Sequence, residues 1–445
     1  MNNSPVRILI AEWVPSLNKG ELAILIGMLK TFEALGKVEV SIFSFYPSLD
    51  KERYPKNVKI IDVGGDLYLG NSLPERSRGV RVRAYFFAAL QHFFFTLLSK
   101  ILGKNALKVM NKTIWREYCR SDIIIICHDQ VSCVGGFILF LSPIYITLLA
   151  KSLHKPIAIY ANGTHDFGRK IWKILATFIL NNVDLITVRD EESFSYLKEF
   201  VWNKARIHLT GDPAILLPSA NPEKVKNILR KENIDKNDGL LVGAAISREA
   251  LSNVFQKHTN PATSYKKAIT EIARVFDRLV ENFQATIVFI PHCIEPYQRR
   301  DDRVVAKEIH EIMKNKHKAR VMVKEYSPEE LKGLMAEFDL FISARVHSVI
   351  GALSMGVPSC TLTRSSDKRA YGLIGKMLKQ KEWIYNIENL NADRLFSRIT
   401  DLLSASDKIR KNLPSITNIA KEKALLNGKL LKALLDSRSK RQDLT

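Results

Sequence analysis

Runs of β-branched residues alternate with stretches of helical length from the start of the chain. The runs that read as strands are Val6 to Ala11, Val38 to Phe45, Val58 to Val63, Ile123 to Cys127, Ile157 to Tyr160, Leu185 to Val188 and Ile207 to Leu209. Between most of them lies a segment with helical periodicity, such as Leu22 to Leu35 or Ile171 to Leu180, which is the signature of parallel βαβ units. Around Pro218-Ser-Ala-Asn-Pro222 the pattern lapses into turn residues, and a lysine-rich helix follows to Ile234. It then restarts with Leu240 to Ala245, Thr286 to Ile290, Arg320 to Val323, Leu340 to Ser343 and Ser359 to Leu362. Two α/β halves are expected, with parallel sheets facing one another across a cleft. The expected division is an N-terminal domain over 1–218, a linker and connecting helix over 219–238, a C-terminal domain over 239–400, and helices with a frayed tail over 401–445.

Length agrees, because 445 residues exceed the roughly 250 to 300 at which one core stops growing. With 46% hydrophobic and 25% charged residues the chain is an ordinary globular one, neither fibrous nor disordered. Its formal charge of +21 changes the picture by favouring an anionic partner: nucleic acid, acidic membrane or phosphorylated small molecule. Five cysteines with no C-x-x-C pair argue against a disulfide framework and against zinc, and the histidines show no H-x-x-x-H pairing. No metal or cofactor is implied. The short apolar run after Arg7 is far below a signal-peptide core, which points to a cytoplasmic protein.

Two segments raise the question of membranes. Ala84 to Leu102 carries five Phe, follows Arg76, Arg78, Arg81 and Arg83, and is interrupted by Gln91, His92, Thr96 and Ser99. It is too polar to span; it reads either as a core helix beside a solvated arginine strip or as a docking patch within 76–104 for an anionic membrane. Burial of Phe86, Phe87, Phe93, Phe94 and Phe95 inside the core would leave only the first of these readings. Gly135 to Ala150, with Pro143 in its middle, reads as a buried helix.

Open α/β sheets bind ligands beyond the carboxyl ends of their strands, so chemistry is sought in the loops there. After the first strand, Asn18 and Gly20 suit a helix start whose N–H groups could hold an anion or a sugar hydroxyl, and Glu21 follows in the first turn. Glu21 equally serves to complement the helix dipole. Arg189 ends a strand, where it could fork onto a carboxylate or phosphate or simply pair with Asp190 or Glu192. The turn Gly211-Asp212-Pro213 could line the same crevice. The clearest signal is Ser343-Ala344-Arg345-Val346-His347-Ser348, where a strand delivers Arg345 and His347 just as a helix begins; a capping role for the histidine is the plainer alternative. Lys368 lies in the loop after the next strand. His292 also follows a strand, but one His beside one Cys reads as packing. G-x-G-x-x-G, G-K-[ST] and D-x-D are all absent, which removes support for nicotinamide, P-loop and metal-dependent sugar-transfer chemistry.

In order, Asn18-x-Gly20-Glu21-x-Ala23-Ile24, Val134-Gly135-Gly136, Thr187-Val188-Arg189-Asp190-Glu191-Glu192-Ser193, Gly211-Asp212-Pro213, Arg345-x-His347-Ser348, Gly356-Val357-Pro358 and Lys368 resemble the polysaccharide pyruvyl transferase family over nearly the whole length. The resemblance implies two Rossmann-like domains of the GT-B type. It also implies transfer of pyruvate from phosphoenolpyruvate onto two hydroxyls of a sugar as a ketal, on a cell-surface polysaccharide or its lipid-linked precursor. By resemblance Arg189, His347 and Lys368 match positions that bind the donor or act in catalysis. Arg345 and Ser348 are added as donor ligands, His347 as general acid, Glu21 as base, and Asn18, Gly20 and Asp212 as acceptor-side residues. Arg189 and His347 are expected to face each other across the cleft. The chain departs from the family in having Gly20-Glu21-Leu22 for Gly-Asp-Glu, and Ala161-Asn162-Gly163-Thr164-His165-Asp166-Phe167-Gly168 where a Gly-Pro loop is usual. Two other readings stand beside this one: a nucleotide-sugar glycosyltransferase on the same fold, and a non-catalytic binder of polyanions or membranes. Nucleic acid is not expected as a partner, since the basic residues are spread and no recognition module accompanies them.

Overall fold

The computed structural model describes residues 4–63, 93–106, 113–127, 137–164, 166–235, 239–252, 254–255, 260–294 and 300–442. Thirteen strands among them form two parallel sheets. The first holds β1 (Val6–Ile10), β2 (Val38–Ser44), β3 (Val58–Asp62), β4 (Ile123–Cys127), β5 (Ile157–Asn162), β6 (Leu185–Val188) and β7 (Ile207–Leu209), in the order β3-β2-β1-β4-β5-β6-β7. The second holds β8 (Leu241–Ala245), β9 (Thr286–Phe289), β10 (Ala319–Val321), β11 (Leu340–Ser343), β12 (Ser359–Thr363) and β13 (Ile384–Asn386), in the order β10-β9-β8-β11-β12-β13. β4, with the sequence Ile-Ile-Ile-Ile-Cys, is buried at every position, as a strand covered by helices on both faces must be. In each sheet the chain reverses its direction of growth at one point, between β1 and β4 and between β8 and β11. Ligand crevices of doubly wound sheets open there.

The chain divides into two compact units that are not continuous in sequence. The first comprises 1–16, 28–211 and 423–445; the second comprises 17–27 and 212–422. The helix Pro222–Lys231, which the sequence suggests as a connector, belongs to the second unit's core. Asn221 caps it by accepting from the Lys224 N–H, and Val225 and Ile228 pack with Leu331, Leu334 and Phe338. The segment 17–27 is held there by backbone pairing: Lys19 N–H donates to His292 O at 2.8 Å and Ile294 N–H to Leu17 O at 3.1 Å. In the first unit the long helix Ser406–Gln442 supplies Asn427, whose amide is bonded to Thr210 and to the Gly211 carbonyl.

Of the two apolar segments, residues 84–92 lie outside the described residues, and with them Phe86 and Phe87. Residues 93–102 are helical. Phe95 is fully buried and stacks on Trp115 with ring centroids 4.2 Å apart, whereas Phe93 and Phe94 are exposed. The second segment is the helix Phe137–Ser152, with Ile146, Leu149 and Ala150 in the core and Leu148 outside it. No described helix is long and apolar enough to cross a membrane.

Candidate functional site

In the second unit three loops converge on the switch point beside β8 and β11. After β11 the chain turns into the helix Val346–Ser354, and two serines fix the turn. Ser343 Oγ accepts the Arg345 N–H at 2.9 Å and lies 2.6 Å from Ser348 Oγ, which also lies 2.7 Å from Arg345 O. Ser348 is fully buried, so its hydroxyl shapes the loop that presents Arg345 and His347. Arg345 Nη2 donates to Asp302 Oδ1 at 2.7 Å, and Asp302 Oδ2 accepts the backbone N–H groups of His292 and Cys293 at 3.1 and 2.9 Å. One carboxylate thus ties the loop after β9 to the loop after β11. Burial opposes the charge on Arg345, but Asp302, Cys293 and Glu249 together hold the guanidinium pKa above its ordinary value. Arg345 Nε has no partner among the described residues.

His292 is buried, and neither of its ring nitrogens has a partner among the described residues. Burial, with the nearby positive groups Arg345, His347 and Lys19, pushes its pKa down to about 3, so it is a neutral imidazole at physiological pH. Buried polar atoms are nearly always bonded in folded proteins, and an unbonded one beside cations at a strand's carboxyl end marks a place for a ligand. Sequence alone read His292 as packing; its position after a strand was the signal that could have raised it.

The third loop is the start of the helix Lys19–Phe32. Lys19 is 1% exposed and its Nζ lies 2.5 Å from Glu325 Oε1, so the ammonium is held inside the unit by one carboxylate. It escaped the sequence reading although it sits between Asn18 and Gly20 in a motif singled out there. Asn18 pairs with Cys293 in an isolated bridge and its Oδ1 accepts the Gly20 N–H at 3.1 Å. Gly20 allows the closest approach in the site: a Cβ there would meet His347 Nδ1 at 2.6 Å and His347 Cβ at 2.9 Å. His347 Nε2 is 3.7 Å from Asp212 Oδ2, and Asp212 is itself fixed, fully buried and accepting from the Ala214 N–H at 2.8 Å. Asn18, Gly20, Arg345, His347, Ser348 and Asp212 therefore come together in one unit. Glu21, half-buried in the first turn, shares that unit with His347 although it lies in the N-terminal half of the sequence. Lys368 is exposed, in the short helical stretch just ahead of the π-helical segment Ala370–Met377.

Arg189 belongs to the first unit, where it is 1% exposed at the carboxyl end of β6. Its neighbour Asp190 caps the helix Glu191–Lys198, accepting from the Ser193 N–H at 2.8 Å and the Ser193 hydroxyl at 2.7 Å. Beside it, Ala161 adopts a left-handed φ of 48° where the β5–β6 register shifts, and this strained residue places Asn162. The Asn162 side chain is buried with neither Oδ1 nor Nδ2 paired among the described residues. Glu12, just beyond β1, accepts the Cys127 N–H at 2.8 Å across the switch point while its Oε1 has no partner among the described residues. Burial, only partly offset by that hydrogen bond, pushes the Glu12 pKa up to about 8. Asn162, Glu12 and Arg189 thus gather buried polar side chains at the carboxyl ends of β5, β1 and β6.

The sequence pattern of the family described as Polysaccharide pyruvyl transferase matches residues 18–366, well over half of the chain. The chain belongs to that family. The match opens on Asn18 and closes two residues before Lys368. The amylovoran biosynthesis protein AmsJ of Erwinia amylovora is 21% identical over 316 residues, covering 70% of this chain and 73% of its own. These relatives place the protein among transferases that modify polysaccharide. Similar solved structures include a UDP-GlcNAc 2-epimerase from Neisseria meningitidis bound to UDP-GlcNAc, with a TM-score of 0.56 at 12% identity over 98% of this chain and 100% of that one. A putative UDP-N-acetylglucosamine 2-epimerase from Listeria monocytogenes gives 0.57 at 13% identity over 98% of both chains. Anabaena Alr3699/HepE in complex with UDP and glucose gives 0.53 at 13% identity, over 97% and 100%. At such identities the likeness shows the fold, two parallel-sheet α/β units of the GT-B type. The converging loops of the second unit bring Arg345 and His347 together with Asn18 and Gly20, all within the matched residues.

Proposed function

We propose that this protein transfers a pyruvyl group from phosphoenolpyruvate onto two hydroxyls of a sugar in a cell-surface polysaccharide or its lipid-linked precursor. The observation that carries the reading is the gathering of cations in the second unit: buried Lys19 on Glu325 and half-buried Arg345 on Asp302, with His347 at a helix N-terminus and a neutral, buried His292 near them. Phosphoenolpyruvate bears a carboxylate and a phosphate on a small frame, and several fixed cations suit it. Arg345 and Lys19 hold the anionic groups in this reading, and Lys368 is a further donor ligand.

The reaction starts with a proton delivered to the donor's methylene carbon, turning CH2 into CH3 and leaving electron deficiency on the adjacent carbon. A sugar hydroxyl adds there and gives up its proton, which restores the one delivered to the donor; the carbon–oxygen bond to phosphate breaks; a second hydroxyl adds and passes its proton to the departing phosphate, closing the ketal. The products are the ketal and inorganic phosphate, with no oxidant or reductant needed. His347 is the proton donor, since imidazole exchanges protons near neutrality, and Asp212 orients it. Glu21, the residue after Gly20, is the acceptor-side base. Phosphoenolpyruvate is made and used inside cells, which puts the reaction in the cytoplasm.

Calorimetric titration with phosphoenolpyruvate, compared with a panel of UDP- and GDP-sugars, tests the donor. Binding of phosphoenolpyruvate, lost in Arg345→Gln, and phosphate release with a saccharide acceptor are expected. Binding of a nucleotide sugar with no response to phosphoenolpyruvate would replace this reading with a glycosyltransferase.

A further inference from the structure

One face of the first unit's sheet is covered by the helices 93–102, Thr113–Arg120, Phe137–Ser152 and Lys170–Asn182. Their inward residues Phe95, Trp115, Ile146 and Ala176 share one core cluster. The outward side of this layer is apolar as well. Phe93 is 68% exposed and Ile101 70%, with Phe94 and Leu97 exposed on the same helix. Ile171, Ile174 and Phe178 are exposed on Lys170–Asn182, and Leu148 on Phe137–Ser152, which packs alongside it. Scattered exposed apolar residues need no account, but nine on one layer, Leu102 among them, do.

Among the charges beside them cations predominate, the nearby acids being Asp166 ahead of Arg169 and the ion-paired Asp184. The helices 93–102, Phe137–Ser152 and Lys170–Asn182 contain Lys100, Lys151, Lys170 and Lys173, with Arg169 just ahead of the last, and no Asp or Glu. Lys151 is paired with Asp184 at 3.5 Å, while Lys100, Arg169 and Lys170 are exposed. A second copy of this face would set like charges against one another, and protein interfaces are depleted in lysine. Aromatic and aliphatic side chains amid exposed cations, with no acid on these helices, match the headgroup region of an anionic bilayer. We propose that this face docks on anionic lipid membranes peripherally. The proposal stands on exposure and charge and is independent of the pyruvyl-transfer reading.

The full-length protein is floated with vesicles of phosphatidylcholine alone and of phosphatidylcholine with phosphatidylglycerol, at low and high salt. Binding is expected only to the anionic vesicles and to weaken with salt. The double variant Phe93→Ser/Ile101→Ser changes exposed side chains and should keep the thermal midpoint while lowering the partition coefficient by at least about tenfold. Lys170→Glu/Lys173→Glu should do the same at low salt. Absence of binding to anionic vesicles at low salt, binding unaltered in both variants, or a concentration-dependent dimer abolished by the same substitutions without vesicle binding would each overturn the proposal.

Discussion

Replacing Gly20 with alanine puts a methyl carbon 2.6 Å from His347 Nδ1, 2.9 Å from its Cβ and 3.0 Å from its Cγ. Because Cβ is among the crowded atoms, turning the ring about its own bonds cannot relieve the contact. His347 as a whole must retreat by about 0.8 Å to reach ordinary contact, or the helix start must. The helix is poorly placed to yield, since Lys19 is bonded to Glu325 and Gly27 lies so close to Pro213 that a Cβ there would fall 1.9 Å from its carbonyl oxygen. Displacing a reacting group by about 1 Å costs on the order of 100-fold in rate, while overpacking costs roughly 1 to 3 kcal/mol of stability. Phosphate release from phosphoenolpyruvate should therefore show kcat down by about 100-fold with KM changed by less than about threefold. In parallel, the His347 imidazole resonances should shift while those of exposed histidines stay put. Wild-type turnover with an unmoved His347 resonance would refute the argument that Gly20 is there to let the histidine approach.

Four further outcomes follow from the same geometry. His347→Ala should lower turnover on the order of 100- to 10,000-fold with phosphoenolpyruvate affinity nearly kept; loss of binding with turnover intact at saturation would exchange its role with that of Arg345. Asp212→Asn should lower kcat, because it removes the carboxylate 3.7 Å from His347 Nε2 that orients the ring; an unchanged kcat counts against the pairing. Glu12 keeps its proton to a pH of about 8 when folded but ionises near 4.5 when unfolded, so its contribution to stability is complete below about 4.5 and is lost as pH rises through 8. In denaturant melts, Glu12→Gln should gain on the wild type by about 1.4 kcal/mol per pH unit between roughly pH 5 and 8, and a flat difference would show that the carboxyl is not held neutral. His292 runs the other way. With a folded pKa of about 3 against 6.5 unfolded, its contribution is complete above pH 6.5 and lost as pH falls toward 3, so the wild type should lose ground to His292→Gln on acidification, and a constant difference from pH 7 to 4 would count against its burial as a neutral ring.

Much of the fold was legible because the chain writes parallel strands as dense β-branched runs. Ile123–Cys127, Leu185–Val188, Ile207–Leu209 and Leu340–Ser343 have the same limits in sequence and structure. β13, Ile384–Asn386, was missed: three residues leave no periodicity to detect, and only pairing with β12 makes them a strand. The loops around Arg345 and His347 stood out because strand ends are where sheets bind ligands. Lys19 did not, because a lysine among cap residues looks solvated until the Glu325 carboxylate is placed on it. His292 was hidden for a similar reason: its neighbours in space are Asp302, Arg345 and Lys19, and no local spacing announces them. Nor could periodicity show that residues 17–27 pack in the second unit, since that rests on backbone bonds to Leu17 and His292 from and to segments far along the chain.

The interleaving of the two units bears on how the protein is made. Domains generally fold as units, those nearer the N-terminus first, while synthesis is under way. Here the residue that satisfies the Gly211 carbonyl is Asn427, and Gly428 lies so close to Thr31 that a Cβ would fall 2.0 Å from its carbonyl oxygen. Those partners are translated more than two hundred residues after the rest of the first unit. A ribosome that has finished the first sheet therefore still holds an unfinished unit, its apolar seat for the late helix uncovered, until the second unit has emerged in full. Chaperone demand during synthesis should peak in that interval, and a stop codon anywhere between the two units should yield an aggregation-prone fragment rather than a stable half.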